Sequence, residues 1–424
     1  MAAPLSSPAG LDRRRRAVLL GLLSLGMVIA YLDRINLSVA LAVKDFTGYF
    51  QLTDQDRGLL NSAFFWSYAA LRIPAGWLVD RYGSKYTFGT GLLLWSLVSS
   101  GTAIATTAKQ LFGLRLVLGI CESVVTPASM RWIRYRYAEQ ERGLALGIYT
   151  TGSKIGSAIA VPVTTALILH FGWRGMFVVL GLGCAVWLVP WMLLAENDWK
   201  KTGAAQKVED EAPPLSFAEL MASPAIWGII VGAFCYSYFY MFYMTWLPAY
   251  FLEQRHLSLT EMSYYSAASF AGMAIVAAPA GWWADRLIGQ GHDAVRIRRR
   301  FTMIGMLLAS CEVIGAFSSS NSVALFFAVV SLAGLGFTTA NYWALTQALI
   351  PRTSIGRVIG IQNCANSLSG IAASILTGWL KETTGSFEAP FVAILVFLLI
   401  GVAAYHFLAR EEFKPVSRPL LTEK

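Results

Sequence analysis

The feature that most limits what this chain can become is a series of twelve apolar runs. They lie near 17–43, 57–80, 86–107, 110–134, 143–168, 172–195, 224–252, 258–284, 300–318, 321–349, 355–380 and 388–409. A run of about 20 apolar residues crosses a bilayer as a helix, because a helix satisfies its own backbone hydrogen bonds where there is no water. The expected fold is therefore an all-α membrane protein with twelve transmembrane helices, numbered here 1 to 12 in that order. Composition agrees, with 56% of residues hydrophobic and 14% charged, against about a quarter charged in soluble domains.

The formal charge of +9 follows topology rather than a nucleic-acid partner. With the N-terminus in the cytoplasm, inside segments hold 24 of the 34 Lys and Arg, outside loops hold six, and four lie within spans. Arg13 to Arg16, Arg131, Arg134 and Arg136, and Arg296 with Arg298 to Arg300 make up much of the inside set. This asymmetry is the positive-inside rule and puts both termini in the cytoplasm of a multi-pass protein of the cell's inner (plasma) membrane. The first run is too long for a signal-peptide core and stays in the membrane. All five cysteines, Cys121, Cys184, Cys235, Cys311 and Cys364, fall within spans, with no CxxC pair, so neither disulfide nor metal site is expected.

The longest hydrophilic stretch, ENDWKKTGAAQKVEDEAPPLSFAEL, divides the runs six and six. It gives a cytoplasmic tail over 1–16, an N-terminal bundle over 17–195, a linker over 196–223, a C-terminal bundle over 224–409 and a tail over 410–424. Within the linker, LSFAELMASPAIW suggests a short interfacial helix leading into helix 7. The halves echo one another. GWLVDRYGSK (76–85) after helix 2 returns as GWWADRLIG (281–289) after helix 8, and LALGI (144–148) as RVIGI (357–361). Offsets of 205 and 213 residues fit an internal duplication with altered loops.

GWLVDRYGSK resembles the G-x-L-x-D-R-x-G-x-[RK] loop of the major facilitator superfamily at every position, and the resemblance extends over nearly the whole chain. It implies two pseudo-symmetric six-helix bundles and a gate formed by Gly76, Asp80, Arg81, Gly83 and Lys85. The glycines would allow close approach, and the charges would stabilise one arrangement of the bundles.

Six ionisable residues sit inside helices 1 to 5: Asp33, Arg34, Arg72, Arg115, Glu122 and Lys154. A charge at mid-bilayer costs at least about 2.5 kcal/mol, so several in one half argue for partners and a water-filled cavity. At about 1.5 Å of rise per residue, Asp33 falls in depth between Arg115 and Glu122 on the antiparallel helix 4. A carboxylate that pairs with Arg115 in one state and leaves it in another changes its proton affinity, as proton coupling requires. Asp33 and Glu122 are the candidates. The arginines suit a carboxylate, so the cargo should be an anion.

YLDRINLSVA (31–40) and GLRLVLGICESVVTP (113–127) resemble the anion:cation symporter branch of that superfamily, and within it the galactonate and hexuronate type. SAFFWSYAALRIPAGW, YAEQERGLALGIYTTG and TWLPAYF support the resemblance. It implies substrate contacts at Tyr31, Arg34, Tyr68, Trp343 and Asn363, with Asn341 a looser neighbour, an anion-pairing role for Arg115, and proton coupling at Asp33 and Glu122. Ser153 stands where that pattern has a glutamine contact. Two further departures are Arg72 in place of a neutral amide and Lys154 beside Ser153. Either both cations face the cavity and the cargo is a dicarboxylate, or Lys154 pairs with Glu122 while Arg72 turns to the gate. Glu312 and His406 fall on helices 9 and 12, peripheral in this fold, and are read as structural.

The expected function is proton-coupled import of an organic anion, a sugar acid such as a hexuronate, aldonate or aldarate, by a monomer in membrane lipid. The alternatives are an anion or drug efflux carrier, and an anion receptor that does not transport. No catalytic nucleophile with its base, no metal cluster and no phosphate loop is found in the spans, so neither enzyme activity nor a cofactor is expected.

Overall fold

The structure, a computed structural model, describes residues 12–196, 215–351 and 354–410. The tails beyond these, and most of the expected linker, lie outside the described residues. Among the described residues, nine helical segments are long and apolar enough to cross a membrane. One of them, Glu141–Leu194, contains Gly172 at φ 67°, a left-handed turn that glycine adopts without strain, and so comprises helices 5 and 6. The two remaining long helical segments, more polar than these, are 54–82 (helix 2) and Ile355–Thr384 (helix 11). The helical path is thus consistent with twelve crossings.

Helix 1 runs Arg13–Ala42, so the arginine cluster forms its first turns and not a tail. Arg15 donates to the Leu194 carbonyl at 2.8 Å, and Arg136 pairs with Glu196 at 3.0 Å, tying the termini-side ends of helices 1, 4 and 6. Helix 3 is Ser84–Ile104 and helix 4 Ala108–Arg136. In the second half, helices 7 to 10 are Pro224–Gln254, Leu259–Gly289, Ala294–Phe317 and Asn321–Leu349, followed by helix 11 and by helix 12, Glu388–Phe407. Phe217–Met221 forms the short helix anticipated before helix 7, closed by a Ser216–Glu219 capping box.

Two breaks matter for the site. Pro74 has no N–H for the Ala70 carbonyl, and helix 2 is interrupted at Leu71. Pro127 does the same for Ser123, and helix 4 is interrupted between Glu122 and Val125. Arg72 and Glu122 therefore sit at bends.

The halves are fastened at the end remote from the termini. Helices 2 and 11 pack antiparallel there, close enough that a Cβ on Gly58 would come within 2.6 Å of the Ser374 carbonyl. Lys381 bridges Asp54 at 2.7 Å and Glu253 at 2.6 Å, while Arg57 pairs with the same two carboxylates at 2.7 Å each. Eighteen residues further along each helix, about 27 Å, Arg72 donates to the Asn363 carbonyl at 3.3 Å.

Candidate functional site

Helix 1 presents two faces because residues three apart share a side. Tyr31 and Arg34 form one. Arg34 Nε donates to Glu122 Oε2 at 2.7 Å, and its guanidinium carbon lies 5.0 Å from the ring centres of Tyr31 and Phe64 and 4.8 Å from that of Tyr68. Phe64, Tyr68 and Arg72 recur every four residues along helix 2 and so make one stripe. The Arg72 guanidinium lies 5.2 Å from the Tyr68 ring, leaving that ring flanked by two cations.

Asp33 and Asn36 form the other face. Asp33 is fully buried, and its Oδ1 accepts from Asn36 Nδ2 and Ser99 Oγ, both at 2.6 Å. Arg115 Nη2 donates to Asn36 Oδ1 at 3.5 Å. Asp33 and Arg115 are thus linked through Asn36 in this state, where the sequence suggested a direct pair. Among the described residues, Asp33 Oδ2 and Glu122 Oε1 are buried without a hydrogen-bond donor. Each is an oxygen on which a proton could reside. Arg34 and Arg115 line one small cavity with Asn61, Phe64, Phe65, Met244 and Thr245, so helices 1, 2, 4 and 7 all contribute to its wall.

Helix 5 supplies Lys154, whose Nζ lies 5.3 Å from the centre of the Tyr240 ring on helix 7. Tyr240 also shares a hydrogen bond with Ser157 at 3.0 Å. The alternative pairing of Lys154 with Glu122 is not formed in this state: Arg34 holds Glu122 Oε2, and Lys154 lies against Tyr240. Ser153 donates to the carbonyl of Thr150 at 2.7 Å, within its own helix.

In the second half the Trp343 ring lies 4.9 Å from Tyr342, which lies 4.6 Å from Tyr236. Asn363 meets Arg72 through its backbone. Asn341 is set apart from this group. It is fully buried, accepting from Arg298 at 2.8 Å and donating to the Phe337 carbonyl at 2.9 Å. Steps of 100° explain the separation, since Asn341 and Trp343 point about 200° apart on helix 10.

The gate motif is assembled away from the cavity. Asp80 pairs with Arg131 at 2.7 Å, and Arg81 covers Trp77 at 5.3 Å. The repeat is repeated in geometry: Asp285 pairs with Arg298, and Arg286 covers Trp282 at 5.4 Å. Gly83 turns the chain at φ 79°. Among the described residues Lys85 pairs with no carboxylate in this state; its carbonyl accepts from Trp191 at 3.0 Å. At Gly76, where the sequence suggested close approach, an added Cβ would meet nothing within 4 Å.

The sequence profile of the Major Facilitator Superfamily matches residues 23–374 and, in a second and overlapping match, 267–423. The chain belongs to the major facilitator superfamily. Membership fits the apolar helices of a multi-pass membrane protein. The chain is 29% identical over 415 residues to the D-galactonate transporter of Escherichia coli O6:H1, covering 92% of this chain and 95% of that one. It is 27% identical to the hexuronate transporter of Bacillus subtilis, covering 95% and 96%. The fold is similar to that of a bacterial homolog to the human lysosomal transporter Spinster, at a TM-score of 0.80 and 17% identity, over 96% of this chain and all of that one.

Several site residues were not singled out by sequence. Phe64 completes the Arg34 cage, Asn36 and Ser99 hold Asp33, and Tyr240 carries Lys154. Spacing would have found Phe64, one turn before Tyr68, and Asn36, one turn after Asp33. Ser99 and Tyr240 come from helices whose rotation the sequence leaves open.

Proposed function

We propose that this protein imports an organic anion, a sugar acid, together with a proton by alternating access. The observation that carries the reading is the Arg34–Glu122 pair at 2.7 Å inside a cage of three aromatic rings. While Glu122 is ionised, Arg34 is already neutralised. A proton on Glu122 removes that partner and leaves the guanidinium fork free for a substrate carboxylate. Anion and proton then enter together, because the anion is bound well only when the proton is. Asp33, linked to Arg115 through Asn36, is the second coupling carboxylate on this reading. Tyr31, Tyr68, Ser153, Trp343 and Asn363 provide rings, hydroxyl and amide for a hydroxylated cargo, with Arg72 and Lys154 as additional contacts.

The arginine-rich ends mark the cytoplasmic side by the positive-inside rule, so the fastened end faces outward and the bundles over 17–195 and 224–409 rock about the site. The gate motif and its repeat in the second half lie on the cytoplasmic side. Relatives named for galactonate and hexuronate transport support a sugar acid as cargo. Purified protein in proteoliposomes should accumulate a hexuronate or aldonate when the outside is made acidic, and collapse of the pH gradient should abolish accumulation. Absence of gradient-driven uptake for every sugar acid tried would reject the proposal.

A further inference from the structure

The cavity carries more positive charge than its own carboxylates can balance. Arg34 and Arg115 line it, Arg72 lies against the Tyr68 ring that Arg34 also flanks, and Lys154 lies against Tyr240 of helix 7, all four set against Asp33 and Glu122. Arg34 is paired with Glu122 at 2.7 Å. Asp33 is held by the neutral Asn36 and Ser99. Among the described residues, Arg72, Arg115 and Lys154 form no ion pair with a carboxylate; their contacts are the Asn363 carbonyl and the Tyr68 ring, the Asn36 amide, and the Tyr240 ring. Cations outnumber anions by two when both carboxylates are ionised, and by more when either is protonated. An unbalanced charge in a site this deep is costly. A ring and a carbonyl are weak partners that an anion displaces at little cost.

The surplus is also divided in space. Arg72 stands on helix 2 beside Tyr68 and Arg34 and touches helix 11. Lys154 stands on helix 5 against helix 7. A cargo with one acid group can neutralise one of these places and leaves the other charged. We infer that the cargo is a dianion with an acid group at each end, a dicarboxylate of the aldarate kind, and that Arg72 and Lys154 are the residues that select for the second charge. This rests on the organic-anion reading above and narrows it.

The test compares three six-carbon acids of one sugar series, galactonate, galacturonate and galactarate, on the full chain in proteoliposomes, as competitors and as labelled cargo. Galactarate should bind at least about tenfold more tightly than either monoacid, the expectation for one additional charge pair in a sheltered site. Arg72→Gln and Lys154→Gln should each reduce that diacid-to-monoacid ratio toward one, and Arg72→Lys and Lys154→Arg should keep most of it. A ratio near one in the unaltered protein overturns the inference while leaving sugar-acid import standing. A ratio that none of the neutral variants changes overturns the assignment to Arg72 and Lys154. Transport of none of the three, or of any other organic anion, overturns the import proposal and this inference with it.

Discussion

On the proposed reading Arg34 does two things, hold Glu122 and receive an anion, and the 2.7 Å pair makes these alternatives. Glu122→Gln mimics the protonated carboxylate, so gradient-driven accumulation should fall at least about tenfold while exchange of labelled for unlabelled substrate persists. Loss of both together would mean Glu122 only braces the helices. Arg34→Lys keeps the charge but loses the fork and the stacking on three rings, and substrate binding should weaken by about tenfold or more. The charged members of this site were legible because an ionisable residue in an apolar run has no ordinary explanation. Phe64 could be found only by its spacing from Tyr68, since a phenylalanine in such a run needs no special explanation. Asn341 was assigned by adjacency to Trp343, and a helix does not keep near neighbours on one face.

At the scale of elements, the helices were readable from run length, and the breaks in helices 2 and 4 follow from Pro74 and Pro127. What could not be read is how far each helix is rotated and how closely it approaches its neighbour. Helix 5 illustrates this. A Cβ on Gly156 would come within 2.7 Å of the Val28 carbonyl and 2.9 Å of Tyr31 Cβ, so glycine sets the closeness of helices 1 and 5 and the placing of Tyr31 and Lys154. At Gly147, on the same helix, a Cβ would meet nothing within 4 Å. Gly156→Ala should therefore cost about 1–3 kcal/mol through overpacking and lower the thermal midpoint in detergent. Gly147→Ala should leave the midpoint unchanged or raise it slightly, adding up to about 1 kcal/mol of stability, because only helix propensity changes. Equal responses at the two sites would show that helices 1 and 5 have slack that the structure does not reveal.

On the proposed mechanism, the whole molecule is governed by which end of the two bundles is fastened. Asp54, Arg57, Glu253 and Lys381 alternate in sign around a ring of four contacts between 2.6 and 2.7 Å, joining helix 2 to helices 7 and 11. Their partners lie far apart in sequence, which is why the ring was not visible there. Two of the contacts, Arg57–Glu253 and Asp54–Lys381, cross between the halves, while Asp54–Arg57 within helix 2 and Glu253–Lys381 between helices 7 and 11 close the ring, so separating the bundles at this end must break it. Lys381→Gln removes two of the contacts and leaves Asp54 and Glu253 sharing Arg57 alone. For side chains 6–27% exposed, between the exposed and buried limits, the fastened state should lose about 1–2 kcal/mol. That raises the population open at this end roughly tenfold. Spin labels at the exposed positions Asp45 and Thr383, in a background without the native cysteines, should report a longer distance component in Lys381→Gln than in the parent. If opening at this end limits import, the same variant should also transport faster at saturating substrate, since a weaker closed state lowers the barrier to leaving it. An unchanged distance distribution would place the lock elsewhere along the helix 2–helix 11 contact, with the apolar packing at Gly58 and Ser374 as the next place to loosen.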